Sequence, residues 1–372
     1  MQPLQGIRIV DFSTLLPGPL ATLILAEAGA EVIKIERPGS GDEMRRYVPK
    51  FGEASVNFAL LNRGKRSIAI DLKAPGAVAR LMPLIERADV VVEQFRPGVM
   101  DRLGLGYDAL KAVNPRLVYC AITGYGQSGP KADIAAHDLN YIAEAGLLGL
   151  SAGPDGAPVL PPALIADIAG GTYPAVINIL LALRRRDASG QGCRLDVAMA
   201  DNLFAFMYWA IGAGEAAGEW VKPGGGYVTG GTPRYNIYRT RDDKFLAAAP
   251  LEQRFWDNFC EAIGLAGEYR DDAKDPDATK EAIRKIVRTK DADEWRATFA
   301  DRDVCCAIVA ALKDAVVDPH FIARGLFDRK VSAGGRQISA LPVAVAREFR
   351  SDTVSAGYPA LGEANGLLGP KG

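Results

Sequence analysis

Histidine is almost missing from this chain: 372 residues carry only two, His137 and His320. Cysteine is scarce as well, with five residues at Cys120, Cys193, Cys260, Cys305 and Cys306. Their number is odd and no pair has the spacing of metal ligands. With so few imidazoles, no metal site is expected. Thiols without a disulfide pattern point to a reduced, cytoplasmic setting. An excess of one charge is also lacking. Lys and Arg total 44 against 45 Asp and Glu, a net charge of -1, which gives no support to nucleic acid or an anionic membrane as partner. No uninterrupted apolar run reaches the roughly 18 residues of a membrane-crossing helix. The opening MQPLQGIRIVDF goes straight into a strand pattern, so no leader segment is expected.

What is present is ordinary for a globular chain: 48% hydrophobic and 24% charged residues, enough for a large core. The length predicts more than one domain. Residues 6–12, 31–35, 67–71, 90–94 and 117–123 read as short buried strands. Between them, Leu20–Ala28 and Gly76–Arg87 read as helices, the second with Leu81, Leu84 and Ile85 on one face. This alternation predicts a doubly wound α/β sheet of parallel strands with right-handed crossovers. Ligands of such sheets bind beyond the carboxyl ends of the strands. Arg37, Asp71, Arg96 and Gly124 all fall at or just past predicted strand ends. Residues 38–64 read as an irregular segment. Residues 174–186 read as an apolar helix, and the Gly-rich stretch 212–232 as a linker. A strand at 244–249 and helices at 253–264, 278–289 and 292–300 predict a smaller α+β unit.

The chemistry-bearing stretch is GYGQSGPKADIAAHD, residues 124–138, which contains His137. Thirty positions further on, Asp167 is a lone carboxylate among Ala163, Leu164, Ile165 and Ile168. A basic ring and an isolated acid in apolar surroundings predict a proton-transfer pair. Desolvation would help Asp167 keep its proton. The run Gly124-Tyr125-Gly126-Gln127-Ser128-Gly129 fits the dinucleotide pattern G-x-G-x-x-G. Pro130 follows it, however, and no helical pattern starts before about Leu139, so a nicotinamide site is not expected. Arg37, Arg63, Lys65, Arg66, Arg96 and Arg102 are expected along the mouth of the sheet, facing a phosphorylated anion. Glu252 alone reads as a glutamate favoured at a helix N-terminus.

Taken together, these segments resemble the type III CoA-transferase (CaiB/BaiF) superfamily and, within it, the α-methylacyl-CoA racemase branch. The resemblance rests on IERPGSGD at 35–42, NRGKRSIAIDLK at 62–73, FRPGVMDRLGLG at 95–106 and TGYGQSGP at 123–130. It continues with HDLNYIAEAG at 137–146, ADIAGG at 166–171 and GGTPRYNIYRTRDDKFLAAAPLEQRFW at 230–256. It implies a Rossmann-like large domain over 1–200, a linker over 201–229, a small domain over 230–325 and a C-terminal return to the large domain over 326–372. It further implies an interlocked homodimer and an acyl-CoA substrate with no separate cofactor.

By the same resemblance CoA is held by Arg37, Arg96 and Arg102 and by Ala69, Ile70, Asp71 and Leu72, with Gly124, Tyr125 and Asp138 also at the ligand. His137 and Asp167 are the implied acid–base pair, acting on the two faces of the α-carbon of a 2-methylacyl-CoA through an enolate. Backbone N–H groups near His137 and Asp138 are the candidate donors to the enolate oxygen. Glu252 is the implied third catalytic residue, orienting His137, and could complete the site from the partner subunit. His137 stands where the transferases usually carry Tyr. The alternative is CoA transfer between carboxylic acids, with Asp167 as nucleophile forming an aspartyl anhydride and then aspartyl-CoA. A non-catalytic acyl-CoA-binding protein is a third reading. Two departures from the racemase pattern, Ala136 in place of a Gly and Cys305-Cys306-Ala307, point to an altered acyl preference.

Overall fold

The structure is a computed structural model that describes residues 2–153 and 155–370. The chain forms two compact units. The first takes in Met1–Ala145, Pro162–Phe204 and Pro319–Gly372; the second takes in Gly146–Pro161 and Ala205–Asp318.

The first unit is built on six parallel strands: β1 (Arg8–Asp11), β2 (Glu31–Glu36), β3 (Arg66–Ala69), β4 (Val90–Glu93), β5 (Val118–Thr123) and β6 (Cys193–Ala198). Their order is β3-β2-β1-β4-β5-β6. The sequences of β4 and β5, VVVE and VYCAIT, are buried at every position, as strands covered on both faces must be. The order reverses between β1 and β4, where a doubly wound sheet opens a crevice at its carboxyl edge. All five expected strands are present. The sixth, β6, was not foreseen because its first half alternates between exposed and half-buried positions at the edge of the sheet.

Helix α1 (Pro17–Glu27) is buried almost throughout, and Pro17 and Pro19 pre-set its first turn. Helix α2 (Ala77–Ile85) turns Leu81, Leu84 and Ile85 into the core, the face expected for them. Residues 38–64 are more ordered than their composition implies. They hold a tight turn at Glu43–Arg46, a small hairpin of Lys50–Phe51 with Ala54–Ser55, and the helix Val56–Asn62. The Ser55 hydroxyl caps that helix by accepting the Phe58 N–H at 3.0 Å. Near its end the chain lies along β3, where the Ala364 N–H donates to the Ser67 carbonyl at 2.8 Å.

Among the described residues one helix, Ala166–Ser189, is long and apolar enough by length and composition to cross a membrane. It is not an uninterrupted apolar run in the sequence because Asp167, Gly170, Gly171 and Asn178 break it. Its second part, Tyr173–Ser189, buries Ala175, Val176, Ile179, Ala182 and Leu183 and packs on α1, β5 and β6.

The second unit has an antiparallel sheet of Asn236–Arg239, Phe245–Ala248 and Cys306–Ile308, with Phe245–Ala248 in the middle. Helices Gln253–Ile263, Pro276–Val287 and Ala292–Phe299 cover it. Trp256, Phe259, Ile283 and Trp295 form its core. The stretch expected as a linker instead begins inside helix Tyr208–Ala217, which ends on the left-handed Gly218 (φ 70°). Its small residues, AIGAGEAA, look like linker by composition alone. All five cysteines are free thiols.

Candidate active site

Two cavities lie at the carboxyl ends of the first unit's strands. The larger is about 860 Å³ and is lined by Arg37, Ile70, Asp71, Leu72 and Arg102. Arg46 and Lys73, which sequence reasoning did not single out, line it as well. The smaller is about 340 Å³ and brings together His137, Asp167, Arg96, Gly124 and Tyr125, with Gln94 and Tyr141 beside them. Thr14 and Phe95 line both cavities, so the two share a wall.

The basic residues sort into two sets. Among the described residues Arg37, Arg46, Lys73, Arg96 and Arg102 make no ion pair, and all of them line a cavity. Such cations are available to an anion, and the guanidinium suits phosphate oxygens. Arg63, Lys65 and Arg66 do not stand at the mouth where they were expected. Arg63 and Lys65 precede β3 and Arg66 is its first residue, so all three lie at its amino end. Arg63 is buried against Glu27 at 3.0 Å, Lys65 reaches Asp11 at 3.4 Å, and Arg66 pairs with Glu31 at 3.1 Å.

Asp167 owes its place to a π-helical stretch, Ala166–Thr172, that leads into Tyr173–Ser189. Inserted π turns of this kind re-aim side chains and recur at functional sites. Gly170 is needed there, since a Cβ would fall 2.3 Å from the Met199 carbonyl oxygen. The Asn202 amide donates to the Gly170 carbonyl at 2.8 Å and closes the packing. The Asp167 N–H donates to the Asp138 carboxylate at 2.9 Å. Burial pushes the Asp167 carboxyl up to about 6; the Asp138 charge adds to the shift and His137 opposes it. No Lys or Arg contributes to that shift.

His137 precedes the helix α3 (Asp138–Glu144) and is exposed to the cavity side. Its backbone is fixed by Asn140: the His137 N–H donates to Asn140 Oδ1 at 3.0 Å. That N–H is therefore engaged and is not the free donor to an enolate oxygen expected from the sequence. Tyr141 locks the preceding loop, with its hydroxyl donating to the Ala136 carbonyl at 2.8 Å. Gly124 makes room for that ring, since a Cβ would fall 2.4 Å from it. The dinucleotide-like run is not free for a pyrophosphate. The Gly126 N–H donates to Thr123 Oγ1 at 3.0 Å, and the Gln127 N–H to the Asp196 carboxylate at 3.0 Å. Between Gly129 and Asp138 no helix starts, as the sequence led one to expect.

Two expected ligand contacts stand elsewhere. Asp138 is buried behind the smaller cavity, where it holds the Asp167 backbone. Ala69 lines neither cavity, and its N–H is taken by Asn365 Oδ1 at 2.8 Å. Glu252 belongs to the second unit, exposed at the head of helix Gln253–Ile263. Thr14, Leu15 and Gln94 were missed because their types carry no chemical signal; only their place after β1 and β4 marks them.

The carboxyl edge of the parallel sheet thus carries one cavity lined by unpaired cations and, beside it, one that holds His137 and Asp167. The chain belongs to CoA-transferase family III, whose model matches residues 4–365. It is 34% identical over 328 residues to the α-methylacyl-CoA racemase of Homo sapiens, covering 87% of this chain and 82% of that protein. It is 33% identical over 352 residues to the acetyl-CoA:oxalate CoA-transferase of Acetobacter aceti, covering 92% and 89%. A CaiB/BaiF family protein from Brucella suis has the same fold, with TM-score 0.82 at 28% identity over 98% of both chains. An acyl-CoA substrate fits the family.

Proposed function

We propose that this protein inverts the α-carbon of 2-methylacyl-CoA thioesters by moving a proton between His137 and Asp167. The observation that carries the reading is their meeting in one cavity, with the Asp167 carboxyl raised to about 6 by burial. Racemisation needs two groups that share one proton, and a carboxyl raised this far holds its proton close to neutrality. In one direction His137 removes the α-proton and protonated Asp167 delivers one to the other face. In the reverse direction Asp167 is the base and protonated His137 the acid. Between the two steps the thioester is an enolate, whose oxygen needs fixed donors. The unpaired cations Arg37, Arg46, Arg102 and Lys73 would hold the phosphates of CoA in the larger cavity. Glu252 would orient His137.

The active form we propose is an interlocked homodimer, with Glu252 supplied by the partner subunit. The outward face of Tyr173–Ser189 supports a partner. Tyr173, Ile177, Leu180 and Leu181 are exposed there at helical spacing, an apolar stripe that favours burial.

CoA transfer is the competing reading, supported by relatives of similar identity that are transferases. There Asp167 would attack the thioester carbonyl. His137→Ala decides between the two. A racemase variant lacking one base should still exchange the α-proton served by Asp167, yet lose inversion by about 10²–10⁴-fold. Normal inversion in that variant, or an acyl group trapped on Asp167 by hydroxylamine, would replace the racemase reading with the transferase.

A further inference from the structure

We infer that Asp42 is a positioning residue that couples the nucleotide-side cavity to the reaction cavity. The inference rests on the reading above that the larger cavity takes the nucleotide end of CoA. Asp42 lines that cavity, as do its neighbours Ser40, Gly41, Glu43 and Arg46. Its carboxylate nevertheless points inward and is fully buried. It accepts the Met44 N–H at 3.0 Å, which starts the Glu43–Arg46 turn. It pairs with Lys34 Nζ at 2.9 Å, and that ammonium also donates to the Ser13 carbonyl at 2.6 Å. Both of its oxygens accept the Leu15 N–H, each at 3.3 Å.

Leu15 is the other end of the link. It lines the reaction cavity. Its φ of 61° is left-handed, a conformation that a branched non-glycine side chain holds only when its surroundings impose it. Two buried carboxylates impose it. Ser13 is tied to Asp11, whose Oδ1 accepts the Ser13 N–H at 2.9 Å, and Leu15 is tied to Asp42. The three-residue loop between the cavities is thus held at both ends by buried carboxylates. Asp42 is the one whose own turn forms the wall of the larger cavity. An anion that immobilises Arg46 and the Ser40–Arg46 turn fixes Asp42, and Asp42 fixes Leu15. Occupancy at the nucleotide end would in this way set the wall of the reaction cavity.

Hydrogen exchange with free CoA as the probe tests this without relying on turnover. Exchange is followed in peptides spanning 12–16, 37–46 and 70–73, each protein at a CoA concentration saturating by its own calorimetric titration. In the wild-type protein CoA should slow exchange in all three segments, at least tenfold in 12–16. In Asp42→Ala it should still slow 70–73 while protection of 12–16 falls to less than threefold. Should Asp42→Ala not fold, Asp42→Asn keeps the volume and one acceptor, and should lose at least half of the added protection of 12–16. Protection of 37–46 and 70–73 without 12–16 in the wild type would overturn the coupling and leave the CoA reading standing. So would equal protection of 12–16 in wild type and variant. Failure of CoA to protect any segment would overturn both.

Discussion

Two carboxylates in the first unit, Asp11 buried and Asp167 half-buried, have opposite fates. Asp11 is wholly buried, and burial alone would raise it, yet Lys65, Lys34 and the hydroxyls of Ser13 and Thr22 hold its carboxyl below the usual range. Asp167 is less buried, has no such cation, and is pushed up to about 6. Glu93 behaves like Asp167: burial pushes it up to about 7, and the Phe95 N–H and the charge of Arg194, with which it makes no ion pair, only partly oppose that. The difference is not depth but company. A carboxylate with a matched cation is a fastener, permanently charged. One left with a backbone amide or an imidazole keeps its proton within reach of neutral pH, which is what proton-transfer chemistry needs. Of the two raised carboxyls, Asp167 lines the smaller cavity.

The contrast can be broken from either side. The largest effect is expected at Asp167. Asp167→Asn keeps the volume but removes the acid, and should lower inversion of a 2-methylacyl-CoA by about 10²–10⁴-fold, read by chiral chromatography of product. Next comes the fastener. Asp11→Ala leaves Lys65 buried without its carboxylate partner and should cost about 3–5 kcal/mol of stability in denaturant unfolding. A loss near zero would mean that the buried network holds nothing. A smaller effect belongs to the unpaired cations. Arg37→Ala should weaken CoA binding by about 1.5–3 kcal/mol by calorimetry, the worth of a charge-assisted phosphate contact. Unchanged affinity would remove Arg37 from the site.

The smallest effect sharpens the comparison through pH. Folding raises the Asp167 carboxyl from 3.8 to about 6, so the folded state binds more protons than the unfolded one between those values. Stability contributed by this group therefore falls as pH rises through that window, and the cost is complete above it. Asp167→Asn removes the cost. Its melting temperature should exceed that of the wild type by a few degrees at pH 8, and the gap should close below about pH 4. The two carboxylates would be alike in kind if the gap did not depend on pH.

Much of this was legible in the sequence. Five of the six strands of the parallel sheet announce themselves as apolar runs, and the pair His137–Asp167 by rarity and isolation. What was not legible has physical reasons. β6 is an edge strand with a polar first half, so its pattern is diluted. Arg63, Lys65 and Arg66 look like a phosphate cradle in a list of residues; which end of β3 they occupy decides otherwise, and charge alone carries no such direction. The π turn that aims Asp167 has no sequence signature beyond the glycines that permit it. Leu15 in its left-handed conformation has none at all.

The central claim is that Asp167 and His137 pass a proton across the α-carbon of a CoA thioester, and isotope exchange tests it most directly. The wild-type protein is incubated in deuterated water with one stereoisomer of a 2-methylacyl-CoA and no free carboxylic acid. The account predicts deuterium at the α-carbon together with mixing of the two configurations. Retention of both hydrogen and configuration, with CoA moving to a carboxylate once one is added, would contradict it.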